Sequence, residues 1–98
     1  MTKAEIINRI AKETGIDRTT VRVIVEAFIN DLKDTMTQGE NIYLRGFGTF
    51  KVKKKAKKVA RNISKNTSIV IPEHYAPAFK PSKSFIKAVA ENVKQPVE

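Results

Sequence analysis

Between Lys51 and Lys65 the chain carries seven lysines and one arginine and no acid. A stretch of that charge cannot pass through a core, so the fold must hold it in water. Phe50 and Val52 alternate with Lys51 and Lys53, a period of two that suits a strand and would scatter charge around a helix. Beyond Val52 the even positions continue as Lys54, Ala56, Lys58 and Ala60, too polar to cover apolar surface. The strand is therefore expected to leave the body and project. Ile69 and Ile71 are β-branched and supply the return strand, and Pro72, which has no N–H to donate, is expected to stop further pairing there. The reading is a two-stranded arm over about residues 52–74, with its tip near Ile63 to Thr67.

An arm of that size leaves little for the rest. Of 98 residues, only about 75 remain for a body, which is marginal for a monomeric core. One domain is expected over residues 1–93, followed by a flexible tail over 94–98, with dimerisation as the remedy for the small core. The preceding half of the chain supplies the apolar surface. Thr2 and Glu5 have capping-box spacing ahead of Ile6, Ile7, Ile10 and Ala11, predicting a helix over about 3–13 that Gly15 ends. Asp17 caps a second helix in which Val21, Ile24, Val25, Phe28, Ile29, Leu32 and Met36 recur at three and four, up to Gly39. Val23 and Ala27 widen that stripe beyond what one small neighbour covers, so a partner subunit is expected to complete it.

Ile42 to Leu44 form a short strand, and Arg45 to Gly48 a turn in which both glycines permit a tight reversal before a strand from Thr49. After the arm, Tyr75 to Phe79 return to the sheet. Pro81 and Ser82 open a last helix carrying Phe85, Ile86, Val89 and Ala90. The fold class is α+β: two helices, a three-stranded antiparallel sheet with one long protruding hairpin, and a C-terminal helix. Phe28, Phe47, Phe50 and Phe79 are the expected dimer core; the last three could stack on single-stranded bases, but their place beside glycines at the strand bases favours packing.

Charge then narrows the function. Residues 1–45 hold seven bases and seven acids, whereas residues 46–98 hold twelve bases against Glu73, Glu91 and Glu98. Positive charge confined to the arm and last helix points to a polyanion. Solvated charged faces normally interleave acids, and this one does not. Without cysteine there is no thiol nucleophile, disulfide or zinc-ribbon pattern. His74 is the one histidine and stands outside any ligand cluster, so no metal, cofactor or enzymatic role is expected. The N-terminus lacks a hydrophobic signal core and no apolar run approaches the roughly 18 residues of a membrane span, so a soluble, unprocessed, cytoplasmic protein without membrane partners is expected. Two rivals remain. Ile10 to Ile16 with Thr20 and Val21 imitates a helix-turn-helix regulator, against which stand a neutral half-chain and a broad apolar stripe; Lys54 to Lys58 imitates a polybasic lipid-binding segment.

Gly46-Phe47-Gly48-Thr49-Phe50, Arg61-Asn62, Ile69, Ile71, Pro72, Pro77, Phe79-Lys80 and Lys83 together resemble the HU and integration host factor family of bacterial DNA-bending proteins, over residues 1 to about 92. The resemblance implies an intertwined homodimer or heterodimer whose arms wrap the minor groove of double-stranded DNA and bend it, compacting the bacterial nucleoid. A site-specific bending protein of the integration host factor kind shares the scaffold. Lys51, Lys53, Lys55 and Lys57 fall on one arm face with Arg61, and Lys54 and Lys58 on the other. Arg61 and Asn62 suit the minor groove, where base readout is poor, so binding is expected to depend weakly on sequence and to favour bent, nicked or junction DNA. By resemblance Lys3, Lys80, Lys83 and Lys87 contact flanking phosphates along the body; Arg45 and Lys65 complete the candidate set. Two positions depart from the family's pattern: Ile63 stands where proline is usual, and Asn66 where glycine is usual. Asparagine tolerates the positive φ of a turn, and isoleucine is an apolar wedge of the kind that kinks DNA.

Overall fold

The computed structural model describes residues 1–62 and 67–94. Its elements in chain order are helix α1 (Lys3–Thr14), helix α2 (Arg18–Thr37), strands β1 (Ile42–Leu44), β2 (Gly48–Lys55), β3 (Lys58–Asn62), β4 (Thr67–Ile71) and β5 (His74–Pro81), and helix α3 (Lys83–Asn92). Each helix starts where a short polar side chain takes up an orphan backbone donor. The hydroxyl of Thr2 accepts from the Glu5 amide, the Asp17 carboxylate from Thr20, and the Ser82 hydroxyl from Phe85. Gly15 closes α1 in the left-handed region at φ 73°, which a glycine adopts without steric cost. Gly39, at φ 88°, does the same just past α2.

The sheet has the order β1-β2-β5, antiparallel throughout, and β3 pairs β4 in a separate two-stranded sheet. Both belong to one hairpin. Lys55 pairs with His74, and three positions on, Lys58 pairs with Ile71, three positions back, so no residue is inserted across the break and the two strands stay in phase. Pro72 therefore does not end the pairing as expected. It removes one donor and interrupts the ladder over Ala56–Lys57 and Pro72–Glu73, after which pairing resumes at His74. The tip positions Ile63 to Asn66 lie outside the described residues, as does the tail from residue 95.

Ile7 of α1 and Val21 and Met36 of α2 are the buried hydrophobic side chains among the described residues, Met36 at the end of α2 that faces Phe50 and Val52. A second cluster joins the sheet to α3: Phe47 lies 5.0 Å from Phe79 and 5.3 Å from Phe85, and Phe50 lies 4.8 Å from Phe79, ring centre to ring centre. Rings at these separations add to simple burial. Phe47, Phe50 and Phe79 thus cluster within one chain, with Phe47 still 43% and Phe79 38% exposed. The Ser82 amide donates to the Phe47 carbonyl at 2.8 Å, and its hydroxyl to the Gly46 carbonyl at 3.1 Å. These two bonds fix the start of α3 to the turn between β1 and β2.

Candidate nucleic-acid interface

Strand alternation sorts the hairpin into two faces. On the face that carries the aromatic cluster, Phe50 pairs with Phe79, Val52 with Pro77, Lys54 with Tyr75, Lys58 with Ile71 and Ala60 with Ile69. The opposite face carries Thr49 with Lys80, Lys51 with Ala78, Lys53 with Ala76, Lys55 with His74, then Val59 with Val70 and Arg61 with Ser68. Because the register is unbroken, this second face runs from the sheet onto the arm, and none of its positions holds an acid. Small Ala76 and Ala78 stand beside the lysines, leaving room for a bulky polyanion over the ammonium groups. The alternation read from the sequence is thereby reproduced: Lys51, Lys53, Lys55 and Arg61 share one phase, Lys54 and Lys58 the other, and Lys57 lies in the ladder break.

At the body end this face opens into a cleft of about 420 Å³ lined by Tyr43, Arg45, Lys51, Lys80, Ser82 and Lys83. Three local causes assemble it. Gly46 takes φ 83° and reverses the chain, bringing Arg45 beside the strands. The Ser82 bonds to that turn hold Lys83, the first residue of α3, next to it. The pairing of Thr49 with both Tyr43 and Lys80 lays a phenol, a hydroxyl and an ammonium in one row across three strands. Arg45, Lys51, Lys80 and Lys83, far apart in sequence, are thus brought to one place. Tyr43, 72% exposed, was missed as a candidate. Its signal was present in the strand alternation, since it shares the phase of Thr49.

Other candidates are placed differently. The Lys3 ammonium pairs with Glu26 of α2 at 3.4 Å, Lys54 with Glu73 at 2.7 Å and Lys87 with Glu91 at 3.9 Å. Every one of these pairs is at least 44% exposed on both sides, and exposed pairs contribute at most about 1 kcal/mol. They compete weakly with a phosphate. Asn62 ends β3, where its backbone pairs with Thr67. Ile63 and Lys65 fall outside the described residues. Phe28 is 51% exposed on α2 and is not among the rings that join Phe47, Phe50, Phe79 and Phe85. Among the described residues no group of histidine, cysteine and acidic side chains could hold a metal ion, and no helix is long and apolar enough to cross a membrane.

Comparison with known proteins fits this arrangement. Residues 1–90 match the family model described as bacterial DNA-binding protein. The DNA-binding protein HU of Thermotoga maritima is 36% identical over 89 residues, covering 91% of this chain and 99% of the relative. That of Geobacillus stearothermophilus is 33% identical with the same coverage. Among solved structures, an Anabaena HU–DNA cocrystal superimposes with a TM-score of 0.84 at 26% identity, over 92% of this chain and 98% of that one. A chain with this hairpin, this charge and these relatives belongs to the HU family of bacterial DNA-binding proteins, which are architectural proteins and not enzymes.

Proposed function

We propose that the chain acts as a dimer that binds double-stranded DNA with little dependence on sequence, lays its two arms in the minor groove, and bends and compacts DNA in the bacterial nucleoid in the cytoplasm. The observation that carries this reading is the acid-free basic face running without a register break from Lys80 and Lys51 to Arg61. Phosphates attract such a face whatever the bases, and release of their counterions supplies most of the affinity. The cleft beside Arg45 and Lys83 takes the backbone at the body. Lys53, Lys54, Lys55, Lys57, Lys58 and Lys65 follow it along the arm, and Arg61 and Asn62 enter the groove. Ile63 wedges a base step apart, and the resulting bend carries the flanking duplex towards Lys3 and Lys87. The DNA-bound neighbour supports this assignment by likeness of fold.

The chain works as one domain over residues 1–93, with the arm at 52–74 as its DNA-wrapping part. Its dimer covers the apolar side of α2, where Val23 is 58% exposed, Ile24 59% and Phe28 51%. The test is a set of binding curves on linear, nicked and four-way-junction DNA of several unrelated sequences. Similar affinity across sequences with tighter binding to nicked and junction forms is expected. A sharp preference for one sequence would replace general compaction with site-specific bending, and equal affinity for anionic vesicles would replace DNA with lipid.

A further inference from the structure

We propose that His74 is a proton-linked DNA contact, whose imidazole takes up a proton as a phosphate settles on the basic face. This rests on the DNA-binding reading above and assigns a residue and a pH response within it. His74 opens β5 and pairs with Lys55 on the last rung before the ladder break. It is exposed, and its position belongs to the lysine-bearing side of the hairpin. The Nδ1 atom lies 2.9 Å from the Pro72 carbonyl oxygen. A carbonyl can only accept, so Nδ1 carries the hydrogen and Nε2 is left as the atom that gains or loses a proton. In the neutral ring Nε2 is an acceptor, with nothing to offer a phosphate; in the charged ring it is a second donor bearing positive charge.

The surroundings set the direction of the coupling. Lys55 stands directly across the ladder, Lys53 is one same-face position away opposite Ala76, and Lys57 lies in the ladder break. The adjacent acid, Glu73, is engaged by Lys54, which belongs to the other face. Tyr75 belongs to that other face too. Without DNA, a proton on His74 meets cations alone on its own side of the hairpin. With a phosphate over Lys53 and Lys55, the same proton is stabilised by an anion. DNA therefore binds the protonated form better than the neutral one, and reciprocity requires binding to draw a proton in.

Calorimetry of the full chain with linear duplex at fixed salt and pH 7, in two buffers of different ionisation heat, measures proton uptake directly. Uptake of a fraction of a proton per chain is expected, with affinity rising by up to about tenfold per histidine between pH 8 and pH 6. His74→Gln is expected to abolish the uptake and flatten the pH dependence. His74→Lys, with a fixed charge, is expected to flatten it at the tight-binding end and to steepen the salt dependence above pH 7. Equal binding heats in the two buffers would overturn the proposal. So would uptake that survives in His74→Gln, which would assign the proton to another group such as the N-terminal amine. Absence of DNA binding at every pH would overturn the DNA-binding reading itself, an outcome distinct from binding without proton uptake.

Discussion

Gly46 and Gly48 sit two residues apart and are glycines for different reasons. Gly46 lies at φ 83° with open space where a Cβ would stand, so its requirement is conformational. Gly48 has an ordinary backbone, but a Cβ there would come within 2.6 Å of both the Lys80 carbonyl oxygen and the Phe79 ring. The ring packs on Phe47 and Phe50, and the carbonyl is backbone of the neighbouring strand, which has no easy way to yield. Gly48→Ala is expected to destabilise by roughly 1–3 kcal/mol through overpacking, seen as a lower urea midpoint. Gly46→Asn is expected to be tolerated, because asparagine accepts positive φ, whereas Gly48→Asn is expected to be worse than alanine. Equal costs at the two positions would contradict this division of roles. From the sequence both glycines read as turn formers. The turn at Gly46 is a local matter and was legible, but the contact at Gly48 is made with residues 31 and 32 positions later, which no local pattern records.

At the level of elements, the arm was the most legible part, because an acid-free lysine run in strand alternation admits few alternatives. Two other features were not legible. Pairing resumes beyond Pro72 because a proline lacks one donor and leaves the strand's phase intact, so long flanking strands carry the ladder past it. The ion pairs to Glu26 and Glu73 depend on which elements meet in space, and only the pairing of Lys87 with Glu91, four residues apart on a helix, could be read from spacing. If each lysine of the continuous face neutralises one phosphate, then Lys51→Ala, Lys53→Ala and Lys55→Ala are each expected to lower the slope of log affinity against log salt by about 0.9. The loss is expected to be similar on unrelated sequences, as for phosphate contacts in general. A slope that does not move would place the DNA elsewhere. Ile63, beyond the described residues, is expected to act on shape and not on affinity. Ile63→Ala is expected to reduce the bend reported by energy transfer between duplex ends while most binding to linear DNA persists. Ile63→Pro is expected to retain the bend. An unchanged angle in the alanine variant would mean that Ile63 does not wedge the duplex.

The whole molecule carries more surface than a chain of its size can leave uncovered. Its radius of gyration is 18.5 Å and its extents are 55 × 38 × 29 Å, against about 13 Å for a compact chain of 100 residues. The accessible surface is 8466 Å², where a compact monomer of this mass has about 5,600 Å². The arm accounts for part of the excess. Another part is apolar and lies on the body, where Val23, Ile24, Phe28 and Ile29 of α2 remain 38–59% exposed. Leaving such a stripe in water forfeits roughly 25 cal/mol for each Å² of apolar surface that a partner would cover. Burial confined to Ile7, Val21 and Met36 among the described residues cannot offset the ordering of some ninety residues at about 1–2 kcal/mol each. A second subunit on α2 is therefore expected to form the rest of the core, with folding and association as a single event. Sedimentation at low micromolar concentration is expected to show a dimer, and the melting temperature to rise with protein concentration. Phe28→Ala separates the alternatives by magnitude. A half-exposed phenylalanine in a folded monomer would lose little on truncation, whereas one enclosed by a partner loses about 3–5 kcal/mol and takes the dimer with it. A stable, folded monomer with a concentration-independent melting temperature would show that α2 needs no partner.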